Sequence, residues 1–216
     1  FQADSGVEAS EAIVEMNEIT PLKGLVLDLR NNPGGVLQAA VAVSDLFLNE
    51  GTIVYTEGRL DPANASYEAT GRTLMPELPI VVLINEGSAS ASEIVAGALQ
   101  DHRRALVIGT PTFGKGSVQT ILALENKYAL KLTTALYYTP SGRSIQATGI
   151  QPTIQVSEGE ALIESDTRIR EADLPKHLEN ASKQSGNSDK IVDRLTEDNQ
   201  LLHAYNLLRG SQLLVR

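Results

Sequence analysis

Two spacings of apolar residues alternate along the chain. Between Ser5 and Glu18, Val7, Ile13, Val14 and Met16 recur at helical intervals. Ser5 stands where an N-cap would, with Glu8 three residues on. Gly24 to Arg30 and Ile80 to Ile84 are short blocks of aliphatic residues bounded by turn residues, and each predicts a buried strand. Val36 to Asn49 returns to helical spacing through Leu37, Ala40, Val41, Val43, Leu46 and Phe47, and Gly51 marks its end. Thr52 to Thr56 predicts a short strand, and Arg59 to Leu78 is polar and rich in turn residues, as in a hairpin or surface flap. After a further buried strand at Ala105 to Gly109, two alternating runs, Ser117 to Leu124 and Tyr128 to Tyr138, predict a hairpin turning at Glu125-Asn126-Lys127. Ile145 to Val156 has room for one more strand. Strands alternating with helices over the first 110 residues, then a strand-rich region, predict an α/β layered domain.

The pattern weakens from Ser157 to Lys190, where charged and small residues predominate around a short helical piece at Ile163 to Glu171. It resumes at Ile191 with Leu195, Leu202, Ala204, Tyr205 and Leu208 at helical spacing. The expected organisation is therefore a core over 1–156, an acidic flexible segment over 157–190 and a C-terminal helix over 191–216. That helix must bury its apolar side on its own domain or on a partner chain, as an oligomerisation element.

The stretch from Pro79 to Gln100 stands apart from the rest. A β-branched run is followed by Asn85-Glu86-Gly87, by Ser88, Ser90 and Ser92 interleaved with alanines, and by a helical pattern through Ile94, Val95, Ala98 and Leu99. Helix capping accounts for part of this, since Glu93 lies three residues after Ser90 as in a capping box. Three serines exceed what a cap needs. A serine at a helix N-terminus also lies beside free backbone N–H groups that bind developing negative charge.

Composition narrows the chemistry. The 216 residues carry a net charge of −9, which disfavours nucleic acid as the main partner because a phosphate backbone calls for a basic face. No apolar run approaches the ~20 residues of a membrane span. With no cysteine, thiol catalysis, disulfides and thiolate metal sites are excluded. Only His102, His177 and His203 are available, too few for a His-rich metal site. A serine–histidine pair fails as well: His102 lies twelve residues along the helix from Ser90, about 18 Å away. Gly109-x-x-x-x-Gly114-Lys115 resembles the start of a phosphate-binding loop, but Gly116 stands where magnesium would need Ser or Thr, and Ser117 opens a strand pattern rather than a helix. Serine with lysine remains. An amine serves as base when neutral, so its pKa must come from near 10.4 to about 7–8, at a cost of about 4 kcal/mol. Burial is the means; Lys115, on a short loop between apolar strands, has a place where it could be drawn inside, and the plain alternative is a turn lysine in solvent.

Four segments taken together resemble a known family: Leu27 to Gly35 (LDLRNNPGG), Asn85 to Ile94 (NEGSASASEI), Gly109 to Gln119 (GTPTFGKGSVQ) and Tyr138 to Ile145 (YTPSGRSI). In this order they are similar to the carboxyl-terminal processing, or tail-specific, proteases. The resemblance covers about Gly24 to Pro152 and implies a ClpP/crotonase-like α/β core. It assigns the nucleophile to Ser90, the general base to Lys115, and the holding of the lysine amine to Gln119. It places an oxyanion hole at the Ala91 amide and at a glycine amide of Gly34 or Gly35, with no cofactor and no metal. It further implies protein or peptide substrates with apolar or unstructured C-terminal tails, work in the periplasm or at the cell envelope, and candidate homo-oligomers or adaptor proteins.

Two departures qualify it. The family carries a PDZ domain before the core, and nothing ahead of Phe1 provides one, so a catalytic-core fragment is expected. The family's Pro-Asp near residue 150 is Pro152-Thr153 here. The rival readings are a non-catalytic peptide or ligand binder on the same fold, and an acyl-CoA enzyme of crotonase type. A pure binder has no need of Ser90, Lys115 and Gln119 together, and an acyl-CoA enzyme has no need of a lysine beside a serine.

Overall fold

The computed structural model describes residues 1–124, 128–159, 195 and 197–214. Its centre is β4 (Ile80–Ile84), every residue of which is buried. A strand can be apolar on both faces only if both faces are covered, and here they are. On one side β4 pairs in parallel with β1 (Leu25–Asp28), Leu25 against Ile80 and Asp28 against Leu83. On the other it pairs in parallel with β5 (Leu106–Gly109), which in turn pairs with the short β8 (Ile154–Gln155). The sheet order is β1-β4-β5-β8. Side chains alternate across it. Ile80, Val82 and Ile84 join the larger core with α1 (Ser5–Ile19), α2 (Leu37–Asp45) and α3 (Ala91–Asp101), while Val81 and Leu83 face the opposite way, onto Ala204 and Leu208 of α4 (Asn199–Leu214).

The strand-rich half forms a second, antiparallel sheet in the order β3-β2-β7-β6, made of β2 (Thr52–Gly58), β3 (Ala65–Glu68), β6 (Ser117–Ala123) and β7 (Ala129–Tyr138). The mixed α/β architecture follows the sequence expectation, and the polar stretch after Arg59 supplies the connection and second strand of the β2–β3 hairpin. Two local expectations shift. Asp4, not Ser5, precedes α1, and the Ser5 hydroxyl accepts from the Gln2 amide. Helix α2 ends at Asp45, because Phe47 bonds back to Ser44 and so tightens the chain, leaving Phe47 and Leu48 buried in a turn. The last helix of the described residues is Asn199–Leu214, and the expected stretch at 191–194 lies outside them. The expected helical piece at 163–171 and most of the acidic segment lie outside the described residues.

Helix α4 packs back on the parallel sheet of its own chain. Leu208 presses its methyl groups against Gly24, where a Cβ would come within 3.0 Å of them. Its N-terminal end is held by Arg30, whose guanidinium donates to both oxygens of Asp198 (2.9 and 2.7 Å) and to Gln200 Oε1 (3.2 Å), while also pairing with Asp28. Hydrogen bonds to Asp28 and Asp198 raise the Arg30 pKa above its usual value, and the same guanidinium holds the Asp198 carboxyl below the ordinary carboxylate range. Among the described residues no helix is long and apolar enough to cross a membrane.

Candidate active site

The parallel strands β1 and β4 end side by side, and the turns that follow them meet. After β4 the chain makes a turn at Asn85–Gly87 and enters α3 through Ser88 to Ser92. The three serines divide their work. Ser88 is fully buried; its hydroxyl donates to the Leu29 carbonyl (2.8 Å) and accepts from the Asn85 amide (3.0 Å). Ser92, also buried, donates to the Asn32 carbonyl (2.9 Å), which takes a second bond from the Ala89 amide (3.0 Å). These bonds strap the turn after β1 onto the turn after β4. Ser90, between them, is only half-buried.

Ser90 also has a backbone that serine rarely adopts, with φ 56° and ψ −112°. Such a conformation costs roughly 1–3 kcal/mol and persists only where the surroundings enforce it. Strained strand-to-helix turns of this kind present a nucleophilic hydroxyl outward. Glu93 enforces this one: its Oε2 accepts from the Ser90 amide at 2.7 Å. The next residue, Ala91, is the first of α3, so its N–H has no acceptor within the helix.

The turn after β1 supplies the facing wall. Gly34 has φ +91°, and a Cβ there would lie 2.5 Å from the Ala89 carbonyl oxygen, 2.7 Å from the Ala91 nitrogen and 3.0 Å from Ser90 Cβ. Only glycine lets the backbone come this close. The Gly34 N–H donates to Asn32 Oδ1 (3.0 Å), whereas among the described residues the Gly35 N–H has no protein acceptor. The Phe1 carbonyl accepts from Val36 (3.0 Å) and the Phe1 nitrogen donates to the Gly34 carbonyl (2.8 Å), so Phe1 lies along this turn. Asn31 and Asn85 close its base reciprocally, Asn85 Oδ1 accepting from the Asn31 amide (2.8 Å) and Asn85 Nδ2 donating to Asn31 Oδ1 (3.1 Å).

The lysine loop between β5 and β6 completes the neighbourhood. Its Phe113 amide donates to the Ser88 carbonyl (3.0 Å), fixing the loop to the serine turn. From Thr112 to Gly116 burial alternates, with Thr112, Gly114 and Gly116 buried and Phe113 and Lys115 exposed. Of the two sequence readings of Lys115, the solvent-facing turn lysine is the one found. The inner side of the loop is filled by the chain from Ile145 to Gly149: a Cβ on Gly116 would lie 2.4 Å from the Gln146 nitrogen, and one on Gly114, where φ is +88°, would lie 3.1 Å from the Gly149 nitrogen. The side chain between two such glycines has to point outward. Gln119, on β6, is exposed as well, and among the described residues no hydrogen bond joins Lys115 to Ser90 or to Gln119. The backbone brings the serine, lysine and glycine segments together; their side chains are not locked to one another.

The remaining candidates fall away from this centre. His102 caps the far end of α3, where its Nε2 lies 2.7 Å from the Thr52 carbonyl oxygen. After Lys115 the chain enters β6, not the helix that a phosphate loop requires. Among the described residues no group of three His, Asp or Glu side chains could hold a metal ion.

Residues 1–156 match peptidase family S41. The chain is 54% identical over 194 residues to a carboxy-terminal-processing protease of Bartonella bacilliformis, covering 88% of this chain and 45% of that protein. It is 43% identical over 163 residues to the chloroplastic carboxyl-terminal-processing peptidase 3 of Arabidopsis thaliana, covering 74% of this chain and 30% of the relative. In three dimensions it resembles the photosystem II D1 C-terminal processing protease with a TM-score of 0.67 and 37% identity, over 73% of this chain and 40% of that one. The chain thus spans less than half the length of these relatives.

Proposed function

The chain belongs to peptidase family S41, and on that premise we propose that it is the catalytic core of a serine endopeptidase that cuts proteins at or near their C-terminal tails. Ser90 is the nucleophile, Lys115 the general base and Gln119 the residue that orients the lysine amine. The Ala91 amide and the Gly35 amide form the oxyanion hole. Gly35 is preferred to Gly34 because the Gly34 N–H is already engaged by Asn32. The observation that carries this reading is the strained Ser90 turn, whose free helix N-terminus lies against a glycine that admits no side chain.

The chemistry runs as an acyl transfer. Neutral Lys115 takes the Ser90 proton as Oγ attacks the scissile carbonyl carbon. The carbonyl oxygen becomes an oxyanion between the two amides, where fixed donors are worth roughly 10²–10³ in rate each. Lys115 passes its proton to the leaving amine as the C–N bond breaks. Water, deprotonated by Lys115, then attacks the acyl ester; Lys115 returns that proton to Ser90 Oγ as the ester bond breaks and the carboxyl product leaves. Lys115 is exposed in the free chain, and a bound polypeptide would exclude water around it. No cofactor enters these steps. Substrates are polypeptides with apolar or unstructured tails, and the work is placed in the periplasm or envelope, where candidate adaptors or further copies of the chain would act.

The test is digestion of an unfolded, apolar-tailed protein read by mass spectrometry, using the chain as given, the full-length protein, and Ser90→Ala and Lys115→Ala in each. Cleavage by the unsubstituted proteins alone is expected. Equal cleavage by all variants would overturn the dyad, and silence from the unsubstituted full-length protein would overturn the peptidase reading.

A further inference from the structure

Among the described residues Glu93 is the one fully buried acidic side chain, and its four hydrogen bonds reach well beyond a helix cap. Oε1 accepts from the Thr112 hydroxyl (2.6 Å) and the Gly114 amide (2.7 Å). Oε2 accepts from the Ser90 amide (2.7 Å) and the Lys115 amide (2.9 Å). A cap would satisfy only the donor three residues before it; the other three partners lie 19 to 22 residues further on, in the lysine loop. The backbone nitrogens of Ser90 and Lys115 are thereby tied to one oxygen atom.

We propose that Glu93 is a positioning residue for the Ser90–Lys115 pair, a carboxylate that holds the strained serine turn and the lysine loop in one register. The proposal rests on the dyad reading above. Its physical basis is that the other bonds between the two turns, such as that from the Phe113 amide to the Ser88 carbonyl, involve neither Ser90 nor Lys115. Lys115 points outward and its side chain makes no bond to Ser90 among the described residues, so the spacing of base and nucleophile is set through the backbone. Three of the four partners are amide N–H groups, which only donate, and both carboxylate oxygens are used in accepting. A misplacement of about 1 Å between reacting groups costs on the order of 10² in rate, which is the scale on which this tie would matter.

Two substitutions separate positioning from scaffolding. Glu93→Gln keeps the shape but offers one acceptor oxygen and one NH₂. Thr112, whose hydroxyl also accepts from the Ile150 amide (2.7 Å), is the only partner with lone pairs to meet an NH₂. The amide should therefore turn its NH₂ to Thr112 and Gly114 and keep its oxygen on Ser90 and Lys115. Glu93→Ala removes every tie. Amide hydrogen exchange reads this without reference to activity. In Glu93→Gln the Gly114 amide should lose protection while Ser90 and Lys115 keep theirs. In Glu93→Ala all three should exchange, with Val95 and Leu99 in α3 still protected. In the full-length protein kcat should fall roughly tenfold for Gln and about 10²-fold or more for Ala, with KM little changed. Unchanged exchange at Gly114 and Lys115 in Glu93→Ala, or a fall in kcat no larger than the fall in folded fraction, would overturn the positioning role. Hydrolysis by Ser90→Ala at the unsubstituted rate would remove the dyad reading and the positioning role with it, while leaving the exchange pattern intact as the mark of a purely structural tie.

Discussion

Replacing Gly34 with alanine tests the meeting of the two turns directly. The cost has two separable parts. A non-glycine residue at φ +91° is strained by about 1–2 kcal/mol. The added Cβ would also lie 2.5 Å from the Ala89 carbonyl oxygen and 2.7 Å from the Ala91 nitrogen, against an ordinary contact of about 3.5 Å. Both neighbours are backbone, so the turn after β1 must withdraw by the better part of an ångström. That withdrawal takes the Gly35 amide away from Ser90 and widens the oxyanion hole. Loss of one such donor lowers kcat by roughly 10²–10³. Gly142→Ala is the control: its φ is +87°, but a Cβ there meets only the Tyr55 hydroxyl at 3.6 Å, so it carries the strain without the collision. Gly142→Ala should lose about 2–8 °C in Tm and Gly34→Ala more, and only Gly34→Ala should lose kcat, with KM nearly constant in a steady-state peptide-hydrolysis assay. If Gly34→Ala and Gly142→Ala keep the same kcat, the turn after β1 does not form the oxyanion hole, and the argument from close approach fails.

Other expectations follow from the supports of the site. Asp198, held below the ordinary carboxylate range chiefly by its hydrogen bond to Arg30, contributes stability that is complete above that range and is lost as pH falls through its folded-state value. Urea midpoints should therefore decline below about pH 4, with a shallower acid slope in Asp198→Asn; equal slopes would remove Arg30–Asp198 as an acid-sensitive tie. Asp101 behaves in the same sense, since burial lifts its pKa but hydrogen bonds from Thr139 and Ser141 and the Arg143 charge together bring it lower. Leu208→Ala, which empties a buried position between α4 and β4, should cost about 2–4 kcal/mol in urea unfolding; a loss under 1 kcal/mol would mean that α4 contributes little to holding the sheet.

Much of this molecule follows from local pattern. The all-aliphatic run at Ile80–Ile84 could only be a strand covered on both faces, and the alternation at Ser117 to Tyr138 could only be a hairpin, because each spacing matches one backbone period. The glycines of the turn after Arg30 and the serine cluster before α3 were likewise visible as exceptional, since few other residues tolerate such backbones or bind such donors. Tertiary structure decided which serine is presented and which two are straps, because Leu29 and Asn32, the acceptors for Ser88 and Ser92, lie about sixty residues away in the chain. It also turned Lys115 outward, since the chain from Ile145 to Gly149 fills the space that local reading left open for it. Glu93 shows the division most sharply: the capping spacing to Ser90 is written in four consecutive residues, but its bonds to Thr112, Gly114 and Lys115 exist only because β4 and β5 lie side by side and deliver both loops to the same end of the sheet.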